Sequence, residues 1–514
     1  MTDAQMPPDQ TPEEIQRREL LHPENWPAPQ AGSEYQLVVI GGGTAGLVAA
    51  AGAAGLGTRV ALIERNLLGG DCLNTGCVPS KALIRAARAV AANRQNSQFG
   101  IPATEFTAPD FPTVMQRMRT LRAGIAPHDS AQRFRELGVD VFFGSAQFTG
   151  TSSITVDDCP LRFSRAMIAT GSQPLLPPVP GLANCNFLTT ENLFELESLP
   201  ARLVVLGGGP IGVEMAQTFA RLGSAVTLIE TGPRILHRED PDASELLQQQ
   251  LLQRDGINLL TQTHVVEISE ASGTTSISVS HKHGESRQIK CDRLLVAAGR
   301  EARVRSLQLN HAGVDLTADG LIQVNEFLQT SNPMVYAAGD VCTTARFTHA
   351  ADRMSRIALR NALFAGRARF QPTEIPRCTY TSPEVAHVGI DSQLAKSSGV
   401  TIDTFTEYFS GNDRSILDGD TLGFVRIHVR RGSDRILGAT IVGEHAGNLI
   451  SEISVAMAGN VGLKKLADVV HPYPTHADAV RRIGDQYMRT RLTPFNARLL
   501  QRWLNWRFPL PMKK

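Results

Sequence analysis

The chain has 514 residues, 42% of them hydrophobic, which is material for several packed cores and not one. Lys and Arg number 51 against 50 Asp and Glu, so the molecule as a whole has no field with which to hold nucleic acid or a polyacidic partner. Seven cysteines, an odd and sparse number, suit reduced thiols inside a cell better than a structural disulfide framework, and one pair, Cys72 and Cys77, is close in sequence.

The N-terminus, MTDAQMPPDQTPEE, is polar and acidic where a secretory signal needs a basic start and an apolar run, so a cytoplasmic location is expected. From Tyr35 to Glu64 runs a long apolar stretch with Arg59 as its internal charge. Its seven glycines and GGG turn fit strand, turn, helix and strand better than a membrane span. Gly41, Gly43 and Gly46 would let the backbone approach a pyrophosphate at a helix N-terminus, and Glu64, 23 residues after Gly41, would accept hydrogen bonds from a ribose.

Directly after that acid comes LGGDCLNTGCVPSKAL, Leu68 to Leu83, with two cysteines five positions apart at the start of a helix. On a regular helix five residues rise about 7.5 Å, beyond the usual disulfide Cα separation, so a bridge needs a distorted turn. Asn74, Thr75 and Gly76 are residues that permit one. Lys81, four positions after Cys77, shares its helix face and favours a thiolate there.

The glycine unit then recurs as RLVVLGGGPIGVEMA, with Gly207, Gly209 and Gly212 and, again 23 residues on, Glu230. A lone GxGxxG is weak evidence; two copies at equal spacing predict two dinucleotide sites. Leu294 to Arg300 and Thr330 to Asp340 look like strands ending on a glycine and a polar residue before a cofactor. From Gln371 the pattern becomes alternating strands with a hairpin around Arg431 to Asp434, then a helix, ISEISVAMAGNVG, so a separate α+β domain is expected. The tail from Arg481 to Lys514 holds nine Lys or Arg against one acid, Asp485, and Phe495, Leu499, Trp503 and Trp506 form a stripe at helical spacing. Such a stripe can lie on a membrane surface or dock on its own subunit or a dimer mate, and docking is the commoner fate.

Together, GGDCLNTGCVPSK, the two GGGxxG units, Ala169 to Gly171 (ATG), the AAGD ending at Asp340, and YTSPEVAHVG at Tyr380 to Gly389 resemble the flavin disulfide reductases, a family that includes dihydrolipoamide dehydrogenase, glutathione reductase and mercuric reductase. The resemblance covers roughly Tyr35 to Arg482. It implies an α/β fold with two Rossmann-like dinucleotide-binding domains, for FAD and NAD(P), plus a C-terminal α+β dimerisation domain. The corresponding segments are an N-terminal extension (1–34), FAD domain (35–199), NAD(P) domain (200–325), central FAD segment (326–370), dimerisation domain (371–480) and basic tail (481–514).

The resemblance also implies a homodimeric enzyme with an active site shared between subunits, in which hydride from a nicotinamide reduces FAD and then the disulfide. Cys72 would meet substrate, Cys77 would face the flavin as a thiolate, Lys81 would lie near the flavin, Glu214 would pair with Lys81, and Asp340 would bind the FAD ribityl region. Cofactor contacts are expected at Gly41, Gly43, Gly46, Glu64, Gly70, Lys81, Thr170, Gly171, Asp340, Gly207, Gly209, Gly212, Glu230 and Gly299, with no metal site. Glu230 favours NADH because a carboxylate repels a 2′-phosphate, while Arg234 keeps NADPH open.

The pattern departs from the family where a partner subunit supplies a histidine followed by Pro-Thr and an acid. In HPYPTHADA, Tyr473 takes the histidine position and Asp478 the acid position; His471 and His476 are the candidate substitutes. Tyrosine, with an ordinary pKa near 10, exchanges protons poorly at neutrality, so dithiol turnover should suffer. Mercuric reductases are similar in using tyrosine there, yet the C-terminal cysteine pair of those enzymes is missing, since no cysteine follows Cys378, and no CxxC precedes Tyr35. The expected acceptor is a soft metal ion or a small disulfide or electrophile. Dihydrolipoamide dehydrogenase and a peripheral membrane NADH:quinone reductase are the competing functions. Cys342 is given no role.

Overall fold

A computed structural model describes residues 10–508 apart from 31–33, 95, 102–108, 272, 283, 285 and 365. Parts of the N-terminal extension (1–9 and 31–33) and the last six residues of the basic tail therefore lie outside the described residues. The chain forms two compact units, one of Met1–His237 with Gln248–Pro372, the other of Arg238–Leu247 with Thr373–Lys514.

The first unit contains a seven-stranded mixed sheet and a five-stranded parallel one. In one, Tyr35–Ile40 pairs in parallel with Val60–Glu64 and with Cys159–Ile168; Val139–Phe143 lies beyond the former and Val335–Ala337 beyond the latter. Strand alternation divides Tyr35–Ile40 between two cores. Leu37 and Val39 join the helix Thr44–Gly55, whereas Val38 and Ile40 join Phe148, Ile154 and Phe163 of an antiparallel meander. A strand buried on both faces must be continuously apolar, which is why LVVI carries no polar residue. In the other sheet the order is Asn258–Leu260, Ala225–Ile229, Arg202–Leu206, Arg293–Val296 and Phe187–Leu188, all parallel, and a three-stranded antiparallel meander spans Thr263–Cys291.

The second unit is a five-stranded antiparallel sheet covered by the helices Ala446–Ala458 and Asp478–Arg491. Its strands Phe424–Arg430 and Ile436–Gly443 form the expected hairpin. The last described helix, Pro494–Arg507, buries none of its residues. Phe495, Leu499, Trp503 and Trp506 are all exposed.

Candidate functional site

The two glycine turns are near copies. Gly41 and Gly207 both have φ +108°, a left-handed conformation in which a side chain would overlap the carbonyl oxygen of Ala169 or of Ala297. Gly46 and Gly212 press against the carbonyl of the first glycine of their own turn, leaving no room for a Cβ. The middle positions behave differently. A Cβ on Gly43 would meet nothing nearer than Gly70 Cα at 3.7 Å, and one on Gly209 nothing within 4 Å. The first and third glycines thus close the turn, and the middle one opens it to a ligand.

The helices Thr44–Gly55 and Pro210–Leu222 start beside these turns. The strand-end acids match too: Glu64 accepts from Gly42 N at 2.6 Å and Glu230 from Gly208 N at 2.7 Å. Each carboxylate takes a second backbone N–H two residues on, Glu64 from Asn66 at 2.8 Å and Glu230 from Gly232 at 2.6 Å. A glycine turn opening a helix, with a carboxylate fixed at the next strand end, fits a dinucleotide pyrophosphate and ribose at both turns.

The cysteine segment follows the first turn. Gly69 and Gly70, with φ +87° and +56°, send the chain into a one-turn helix, Gly70–Asn74. That helix stops at Thr75, whose φ is −139°, and a second, Cys77–Arg94, begins two residues later. The break supplies the distortion that the spacing demands. Cys72 and Cys77 are free thiols in the structure. Cys77 Sγ lies 3.3 Å from Thr348 Oγ1, on the first residue of the helix Thr348–Leu363.

The two sulfurs are inequivalent. A hydrogen bond from Cys72, aided by Thr348 and the charge of Lys81, pushes the thiol of Cys77, an exposed residue, down to about 6. Cys72, donating to Cys77 and itself part-buried, is pushed up. Lys81 Nζ lies 2.9 Å from Glu214 Oε2, and Glu214 is buried.

Asp340 stands just past the strand Val335–Ala337; burial raises its carboxyl, and Ser172 Oγ donates to it at 2.7 Å. Arg300 Nε donates to the same Ser172 Oγ at 2.7 Å, and its Nη2 reaches the Asp71 carboxylate beside Cys72. Thr170 Oγ1 donates to Arg303 O at 2.7 Å, while Gly171 and Gly299 adopt φ of +70° and +125°.

In the second unit Tyr473 is exposed and donates to Asp413 Oδ2 at 2.8 Å, which raises its phenol. Asp478 is not its hydrogen-bond partner. Arg481 Nε and Arg482 Nε donate to Asp478 at 2.8 and 2.7 Å and, against burial, hold its carboxyl below the usual range. His471 places Nε2 2.7 Å from Glu452 Oε1 and Nδ1 3.1 Å from Val469 O. Burial pushes the imidazole of His476 down, and Asp418 lies 3.9 Å away.

Residues 35–355 match the family described as pyridine nucleotide-disulphide oxidoreductase, and residues 375–483 match that family's dimerisation domain. The chain belongs to this family. The mercuric reductase of Staphylococcus aureus is 32% identical over 448 residues, 87% of this chain and 81% of that protein. The dihydrolipoyl dehydrogenase of Bacillus subtilis is 32% identical over 463 residues, 87% of this chain and 97% of that one. Among solved structures, the Cu(II) complex of the HOCl-induced flavoprotein disulfide reductase RclA from Escherichia coli matches with a TM-score of 0.77 and 27% identity, covering 88% of this chain and 100% of that one.

This pyridine nucleotide-disulphide oxidoreductase is thus an FAD-dependent enzyme using NAD(P)H. No helix among its described residues is long and apolar enough to cross a membrane. Three residues at its cysteine pair have structural roles that sequence reasoning misses. Thr348 lies 271 positions from Cys77 and carries no local signal. Arg300 ends an expected strand, but its reach to Asp71 is not legible in spacing. Asn74 is by type a permissive turn residue, whereas its side chain is buried and fully engaged.

Proposed function

We propose that electrons enter as hydride from a nicotinamide held at the Gly207 turn and leave through Cys72 to a soft metal ion, or to a small disulfide or electrophile. The inequivalence of the two sulfurs carries this reading: a thiolate at Cys77 beside Lys81 and a protonated thiol at Cys72 divide the labour between cofactor side and substrate side. Bound FAD would supply the two-electron relay between nicotinamide and sulfur. Gly41, Gly43, Gly46, Glu64, Gly70, Thr170, Gly171 and Asp340 hold it in this reading, and Gly207, Gly209, Gly212, Glu230 and Gly299 hold the nicotinamide cofactor. Lys81, fixed by Glu214, keeps positive charge next to the Cys77 sulfur.

A soft acceptor suits this chain because thiolate sulfur is a soft ligand. Relatives named mercuric reductase, and a solved neighbour holding Cu(II), point the same way. In the homodimer that the dimerisation domain suggests, Tyr473 and Asp478 of the second copy complete the site. Tyr473, tied to Asp413 with its phenol raised, holds its proton through neutral pH, which suits metal reduction better than proton exchange with a dithiol. NADH is the preferred donor, because Glu230 presents a carboxylate where a 2′-phosphate would sit.

The similarity to dihydrolipoyl dehydrogenase supports a second reading, oxidation of a carrier-bound dithiol. Steady-state assays with Hg(II), Cu(II), glutathione disulfide and dihydrolipoamide separate the two, and rapid NAD reduction by dihydrolipoamide would overturn the first. Anaerobic NADH titration should also produce a long-wavelength thiolate-to-flavin band that Cys77→Ser abolishes and Cys72→Ser retains.

A further inference from the structure

The helix Pro12–Leu21 precedes residue 35, where the family match begins. It nevertheless reaches the cysteine loop. Glu14, Arg17, Asn74 and Arg122 are 3%, 5%, 7% and 4% exposed, a charged cluster out of water. Arg17 Nη2 donates to Glu14 Oε2 and Arg122 Nη2 to Glu14 Oε1, both at 2.6 Å. The two guanidinium groups hold the Glu14 carboxyl below its ordinary range although burial acts to raise it.

Both cations then grip Asn74. Arg17 Nη1 donates to Asn74 Oδ1, and Arg122 Nη1 donates to Asn74 O at 2.6 Å. The Asn74 amide in turn donates to Leu68 O at 3.0 Å and Gly70 O at 2.9 Å. Asn74 is the last residue of the one-turn helix that bears Cys72, immediately before the break at Thr75. The clamp therefore grips the chain at the end of that helix, between the two cysteines.

Buried ion pairs are poor devices for stability, since apolar residues of similar volume often do as well, and in some proteins they are kept for the geometry they specify. We infer that Glu14 and Arg17, on the N-terminal helix, are positioning residues that act through Asn74 to hold Cys72 and Cys77 at bridging distance and so set the redox poise of the pair. Holding the sulfurs close favours the disulfide; releasing Asn74 gives the dithiol more freedom and favours reduction. Reduction breaks the Sγ–Sγ bond with two electrons and, above the Cys77 midpoint, one proton, which goes to Cys72 while Cys77 leaves as thiolate and the second proton of the reductant passes to solvent. Dithiothreitol, used as the reductant, supplies the electrons and protons and closes to its own cyclic disulfide.

The inference rests on the proposed role of the cysteine pair. The holoenzyme is equilibrated in dithiothreitol buffers of graded oxidation, and the state of Cys72 and Cys77 is read by alkylation and mass. Arg17→Met is expected to shift the equilibrium about tenfold toward the dithiol, about 30 mV. Glu14→Gln, which is isosteric, should shift it in the same direction, and Arg17→Lys should restore part of the wild-type value. Arg221→Met, which removes a largely buried ion pair with Asp255 (2.7 Å) that makes no contact with Asn74, should leave it unchanged.

A wild-type chain in which the two cysteines never bridge would defeat the proposed function. A pair that bridges normally but ignores both Arg17→Met and Glu14→Gln would defeat this inference alone. If Arg17→Met does not fold, Glu14→Gln decides by the same readout.

Discussion

The two glycine turns share a backbone, but the chain takes a different course beyond each acid. After Glu64 it enters LGGDCLNTGC and a pair of short-spaced helices; after Glu230 it runs through TGPRILH into Arg238–Leu247, which belongs to the second compact unit. Leu68 and Ile235 both pack against the middle GGG glycine, Gly42 and Gly208, but stand four and five residues after their acids. In the proposed reading the duplicated cradle binds, and the sulfur chemistry comes from the segment after one copy. Binding and redox roles are therefore separable in this sequence and can be broken one at a time.

The largest effect is expected from breaking the turns in parallel. A methyl on Gly46 or Gly212 would collide with a backbone carbonyl that cannot give way. Gly46→Ala should purify without yellow colour. Gly212→Ala should keep its flavin and its reduction by dithionite, while reduction by NADH slows by about 100-fold, as expected for misplaced reactants. Flavin absorbance after each treatment checks both, and the opposite pattern would reverse the assignment of the turns.

The next effect sharpens the sulfur half of the comparison. Because the Cys77 thiol is lowered to about 6 from an ordinary value near 8.5, its thiolate persists above that pH and is lost as pH falls through it. Thiolate absorbance of the reduced enzyme should follow that midpoint. Cys72→Ala removes the main cause and should move the midpoint up most, Thr348→Val less. A midpoint unmoved by Cys72→Ala would show that the two thiols do not interact. The same lowered value means that the ionised Cys77 contributes stability above its unfolded pKa, and that this contribution is lost on acidification through the folded one.

A smaller change is expected at Lys81→Met, which removes one partner of buried Glu214. An unmatched buried acceptor costs about 1–3 kcal/mol, reduced here because Lys81 is about a third exposed. Thermal unfolding should register the loss, and the double variant Lys81→Met with Glu214→Leu should recover most of it. A melting temperature unchanged by Lys81→Met would mean that the pair contributes nothing to the fold.

How much of this is legible in the sequence depends on the range of each interaction. The glycine turns, the strand-end acids and the need for a break between Cys72 and Cys77 are local, fixed by spacing and backbone sterics, and the structure places them as spacing requires. The hairpin around Arg431 to Asp434 is local as well. Thr348, Arg300 and the clamp on Asn74 join residues 48 to 271 positions apart through single side chains. Such contacts leave no periodicity behind. The stripe of Pro494–Arg507 shows the converse: its period is plain in the sequence, but period alone does not say what a face packs against, and none of the helix's residues is buried.

The smallest effect concerns the acids, where the copies agree down to the hydrogen bonds and differ in the ligand each would meet. Glu230 is held by two backbone N–H groups, of Gly208 and Gly232, so its charge is fixed in place at the strand end and not free to swing aside. A 2′-phosphate brought there meets a carboxylate that cannot retreat. Glu230→Gln keeps the shape and removes the charge, and should raise kcat/KM for NADPH about tenfold relative to NADH, equivalent to about 1.4 kcal/mol. Glu64→Gln, held in the same way by Gly42 and Asn66 at the other turn, should leave that ratio alone and weaken only flavin retention. If Glu64→Gln altered the ratio instead, the nicotinamide would have to be assigned to the first turn.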